Sequence, residues 1–128
     1  MNDIGVAMPT LALNTVGLTV ESAERAVRLA LDQGITHVDF HPGIERDGVA
    51  SYLKSSPSSR SQLFLTTKIG KPKPGIAPDV AAAGVWRQLE DDLAVLGLPY
   101  VDMLMLRDSP SPEVMQAQWA AMEAELGN

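Results

Sequence analysis

Cysteine is absent from the 128-residue sequence. That excludes disulfides, Cys-ligated zinc and a thiol nucleophile. Aromatic residues are scarce, with two Phe, two Trp and two Tyr, too few for a platform that stacks bases. Ten Lys and Arg face 16 Asp and Glu, giving a formal net charge of −6. With no Lys/Arg cluster, this balance argues against nucleic acid as the main partner. No run of about 18 apolar residues occurs, so no membrane-spanning helix is expected. The opening MNDIGVAMPT has neither a basic n-region nor a long apolar h-region and does not read as a signal peptide. Neither GxGxxG nor GxxxxGK[ST] is found, and no His/Asp/Glu cluster has metal-ligand spacing, so no metal site is expected. These features fit a cytoplasmic protein.

What is present suffices for a core. Apolar residues make up 45% of the chain and charged residues 20%, which predicts a single folded domain over residues 1–128. Extended apolar runs alternate with helical patterns. Pro9–Thr15 reads as a first strand. Thr19 is a plausible N-cap for a helix over Val20–Gln33, whose apolar face is Val20, Ala23, Val27, Ala30 and Leu31, with Gly34 as its stop. Ile35–Phe40 reads as the second strand, Asp47–Lys54 as a short helix and Ser55–Ser61 as a polar turn. Leu63–Lys68 reads as the third strand, and the Pro- and Gly-rich Ile69–Pro78 as a loop. Asp79 is placed to cap a helix to Leu96, with Trp86, Leu89, Leu93 and Leu96 as its seam and Gly97 as its stop. Tyr100–Leu106 reads as the fourth strand. Ser109–Pro112 reads as a turn, with Ser111 as N-cap and Pro112 at N1 of a last helix over Glu113–Leu126. Met115, Trp119 and Met122 fall at helical spacing, as a packing face would. Four strand–helix units in succession predict an α/β fold with a parallel sheet.

The segments ITHVDF, LFLTTK and VLGLPYVDMLML, with the lengths between them, resemble the aldo-keto reductase family. The resemblance runs from MPTLALNT to the last helix and implies the first half of a (β/α)8 TIM barrel. It also implies hydride transfer from NADPH to a carbonyl, with a Tyr proton donor, an Asp–Lys pair that depresses its pKa, and a His that orients the substrate. Asp39 and Lys68 match the Asp and Lys. The Tyr position falls about five residues after Asp39, on Gly43 or Ile44, and neither can donate a proton. Arg107 stands where the His is expected and cannot act as a general acid at neutral pH. The family's cofactor is held mainly by residues from the fifth strand onward, so no cofactor-binding residue is assigned. NADPH belongs only to the reading in which reductase activity persists.

The candidate catalytic residues are therefore Asp39, Lys68, His41 and Arg107. Asp39 and Lys68 end neighbouring strands, at the face where barrel enzymes keep their sites. They either tune a proton donor or simply pair at the strand ends. His41 lies two residues past Asp39. It is a candidate replacement acid, or an exposed loop His in the turn HPG. Arg107 either clamps an anionic ligand or pairs with Asp108, Asp102 or Asp39. His37 reads as a buried, hydrogen-bonded structural residue. The loop Lys71–Gly75 is either a lid over a ligand or a solvated connection.

Half a barrel leaves two bare sheet edges. Its inner face is expected to draw on Leu11, Leu13, His37, Leu65, Val101, Met103 and Met105. An apolar face of that kind predicts a homodimer, with the first strand of one copy beside the fourth of the other. The functional expectation is reductase machinery repurposed for cofactor-independent acid–base chemistry, or for ligand binding, at the strand-end mouth. The alternatives are residual NADPH-dependent carbonyl reduction and a non-catalytic pseudoenzyme or half-barrel partner.

Overall fold

A computed structural model of the chain describes residues 7–109 and 111–126. The first six residues, Pro110 within the expected turn, and the last two residues lie outside them. Strands β1 (Ala12–Asn14), β2 (His37–Asp39), β3 (Phe64–Lys68) and β4 (Met103–Met105) form one parallel sheet in the order β1-β2-β3-β4. They alternate with helices α1 (Val20–Asp32), α2 (Ile44–Ser55), α3 (Pro78–Leu96) and α4 (Pro112–Leu126). This is the expected succession of four βα units. Among the described residues, no helix is long and apolar enough to cross a membrane.

Local chemistry sets most of the boundaries. Thr19 caps α1, its hydroxyl accepting from Ser22 N at 3.1 Å. Ser111 caps α4, accepting from Val114 N at 3.3 Å. Gly97 closes α3 in the left-handed conformation, φ 68°. The N-cap of α3 is Ala77, not Asp79, because Pro78 takes N1 and moves Asp79 into the first turn. Helix α2 starts at Ile44, three residues earlier than expected. Gly43, at φ 102°, turns the chain, and its carbonyl accepts from Asp47 N at 2.9 Å to open the helix. The expected polar turn after α2 is a 3-10 helix over Pro57–Gln62, held by Ser56 and Ser59 hydroxyls 2.7 Å apart.

The strands are shorter than the sequence suggests, because only their central residues are paired. In a parallel sheet, partners in register share a face. Leu13, Val38 and Leu65 are in register and face the helices. There they join Val27, Phe40, Val49, Tyr52 and Leu53 in the core, with Val101 packed against it. The opposite face carries Ala12 and Asn14, His37 and Asp39, Phe64, Thr66 and Lys68, and Met103 and Met105. The expected inner face is thus corrected. His37, Met103 and Met105 belong to it. Leu13, Leu65 and Val101 serve the helix-side core, and the true inner face is of mixed polarity.

Two helix faces also differ from the expected seams. In α3 the buried residues are Ala81, Val85, Asp92 and Leu96, while the Trp86 indole is half-buried and donates to the Ala121 carbonyl at 3.0 Å. In α4 the buried positions are Val114 and Gln118, and Trp119 is 54% exposed.

Candidate active site

Asp39 is the last residue of β2 and Lys68 the last of β3. Both lie on the inner face at the carboxyl ends of adjacent strands. The Lys68 ammonium donates to the Asp39 carboxylate and, at 3.2 Å, to the Phe40 carbonyl. The Lys68 side chain is 12% exposed and that of Asp39 32%, so the pair is partly withdrawn from water. The expected Asp39–Lys68 contact is present.

Two residues past Asp39, His41 forms a second pair. Its Nδ1 and its backbone N–H both lie 3.1 Å from Glu45 Oε1. The Thr15 hydroxyl, at the end of β1, stands 2.8 Å from the same oxygen and 3.0 Å from the Asp39 carbonyl. Burial acts to raise the pKa of Glu45. The hydrogen bonds from Thr15 and from the His41 ring and backbone outweigh it and hold the carboxyl below its usual 4.5. A carboxylate at Nδ1 makes that nitrogen the donor and leaves Nε2 as the free, basic nitrogen. His41 is therefore an oriented imidazole and not a loose loop residue. Its link to Asp39 runs through Thr15 and the backbone, with no direct contact.

Of Asp39, Lys68, His41 and Glu45, only Glu45 reaches a cavity, one of about 640 Å³ whose other walls are Ile44 and the segment 17–21. Ile44, one of the two residues expected at the Tyr position, is 61% exposed and presents an aliphatic wall to it. The other, Gly43, sits at the backbone turn. The cavity offers carboxylates and no cation, so its residues do not fit the phosphates of a dinucleotide.

Arg107 stands apart. It is exposed and, among the described residues, makes no ion pair. Its three expected partners are each held by another cation. Asp39 has Lys68, Asp102 has Arg60 at 3.0 Å, and Asp108 has Lys71 at 3.0 Å. His37 is buried as expected. Its Nδ1 donates to the Pro9 carbonyl at 3.2 Å, its Nε2 accepts from the Thr66 hydroxyl at 2.7 Å, and its ring stands edge-on to Phe64.

Sequence reasoning missed Glu45, Thr15 and Asp92. Glu45 had a signal, because it follows His41 by four residues across a helix start. Asp92 had one too, as a charge on the buried stripe of α3 between Val85 and Leu96. It accepts from Arg46 at 3.2 Å and from the Thr67 hydroxyl at 2.9 Å. Thr15 had none, since its role depends on where β1 ends.

The family model of the aldo/keto reductase family matches residues 7–125. The chain belongs to the aldo-keto reductase family. It is 32% identical over 123 residues to the aldo-keto reductase ML1669 of Mycobacterium leprae, covering 94% of this chain and 41% of that protein. It is 26% identical over 126 residues to morphine 6-dehydrogenase of Pseudomonas putida, covering 97% of this chain and 40% of that one. Among solved structures, the aldo-keto reductase MGS-M4 from a Medee basin deep-sea metagenome library superposes with a TM-score of 0.73 at 22% identity, over 95% of this chain and 43% of that chain. This aldo-keto reductase chain thus spans about 40% of the length of its relatives, in keeping with four βα units of the fold.

Proposed function

We propose that this aldo-keto reductase chain carries a cofactor-independent acid–base site for small carbonyl compounds at the strand-end mouth. The observation that carries the reading is the His41–Glu45 pair, with His41 two residues past the Asp39 that holds Lys68 and Glu45 on the wall of an open cavity. In the reaction, His41 Nε2 removes a proton from the carbon next to the substrate carbonyl. The Lys68 ammonium, held by Asp39, stabilises the enolate oxygen that results. Return of the proton to the same carbon gives exchange. In an α-hydroxy carbonyl compound, its return to the former carbonyl carbon, with the hydroxyl proton passing to the enolate oxygen and the hydroxyl carbon becoming the new carbonyl, gives isomerisation. No step uses Arg107. The setting is the cytoplasm, and a second copy closes the sheet by setting its β1 beside β4 of the first.

Hydroxyacetone in D2O tests the chemistry. The protein is expected to speed deuterium uptake at the carbon bearing the hydroxyl, and His41→Gln to slow it by about 10²–10⁴-fold, the range of general base catalysis. Uptake at the background rate with the wild-type chain overturns the reading. Family membership favours a second reading, NADPH-dependent carbonyl reduction with His41 as proton donor. Against it stand the acidic lining of the cavity and the absence of a Tyr from both candidate positions.

A further inference from the structure

The segment 70–76 that follows β3 forms, with α3 and Gln118 of α4, the walls of an open cavity of about 340 Å³, large enough for a small ligand. Lys73 and Arg87 line it together with Gln88 and Gln118. Among the described residues Lys73 and Arg87 make no ion pair, as is also true of Arg25, Lys54 and Arg107, while Lys71, which lines the same cavity, is held by Asp108.

The two glutamines supply the polar floor. Gln88 Oε1 accepts from Gly70 N at 2.7 Å, which fixes its amide and leaves Nε2 as an unused donor. Gly84 also lines the cavity, and a Cβ on it would stand at ordinary contact distance, 3.4 Å, from that Nε2. Gln118 is only 2% exposed, and its Oε1 is buried without a partner. Buried polar atoms are almost always hydrogen-bonded, so this acceptor calls for a donor from outside the chain.

We infer that this cavity binds a hydroxylated phosphate monoester. The phosphate takes the charges of Lys73 and Arg87 and the Gln88 Nε2–H, and a hydroxyl of the same molecule donates to Gln118 Oε1. The two requirements are complementary. Inorganic phosphate meets only the first and an uncharged polyol only the second. The segment 70–76 is then a wall of a ligand site and not only a connection, and the site is independent of the His41 chemistry.

Titration calorimetry of the intact chain with glycerol 3-phosphate, inorganic phosphate and glycerol tests this. Glycerol 3-phosphate is expected to bind about tenfold more tightly than inorganic phosphate, the worth of one well-made hydrogen bond to a buried acceptor. Arg87→Gln and Lys73→Gln, both at exposed positions, are expected to weaken both phosphates by about tenfold each. Gln118→Leu is expected to remove the preference for the ester while leaving phosphate binding intact. Equal affinity for the two phosphates, no binding below about 10 mM, or binding indifferent to Arg87→Gln and Lys73→Gln overturns the inference.

Discussion

At the scale of single residues, two carboxylates do more than their sequence neighbours suggest. The Glu45 carboxyl is held below its ordinary 4.5 by Thr15 and His41. A depressed carboxyl stabilises the fold above its unfolded pKa and loses that contribution as pH falls through the folded value. Thermal melts from pH 6 downward are therefore expected to show the wild-type chain losing stability below about pH 4.5, with Glu45→Gln flatter across the same window. Identical pH dependence in the two proteins would contradict the Glu45 network. Asp92 is 1% exposed and serves both Arg46 and Thr67. Asp92→Ala leaves a hydroxyl unpaired and Arg46 with only Asp47, and is expected to cost about 2–3 kcal/mol in urea unfolding. The residue identities of the site were readable in advance wherever a residue type announces its chemistry, as with Asp39, Lys68 and His41. Partnership was less readable. Arg107 looked equally able to pair with three aspartates, and only the fold shows that Arg60, Lys68 and Lys71 reach them first.

At the scale of elements, helix ends were legible because capping is local. Thr19, Gly97 and Ser111 act where their side chains or backbone freedom predict. Strand faces were not, because alternation in three- to five-residue strands fits either phase, and the register between strands decides it. Leu13 and Leu65 went to the helix side on that account, and the inner face received Asn14 and Thr66. The contact between α1 and α2 depends on Gly48. A Cβ there would stand 2.4 Å from the Ala23 Cβ and 3.0 Å from the Val20 carbonyl oxygen. Gly48→Ala is expected to destabilise the chain by about 1–3 kcal/mol through overpacking, although alanine is the better helix former. A neutral or stabilising result in chemical denaturation would show that the two helices separate more easily than their packing implies. Gly97→Ala, which forces a side chain into the left-handed region, is expected to cost about 1 kcal/mol.

At the scale of the whole molecule, four parallel strands in the order β1-β2-β3-β4 leave β1 and β4 as edges. The mixed polarity of the inner face makes edge pairing, more than burial of an apolar surface, the force expected to join two copies. Sedimentation equilibrium is expected to give the mass of two chains, and the mass of a single chain at all concentrations would rule out closure by a second copy. The central claim concerns chemistry, and one measurement reaches it directly. Hydroxyacetone is incubated with the protein in D2O, with and without NADPH, and the products are read by proton NMR. The account predicts deuterium at the carbon beside the carbonyl without NADPH, at a rate that NADPH leaves unchanged. Reduction to the diol only when NADPH is present, with no deuterium uptake without it, would contradict the account and restore the reductase chemistry of the family.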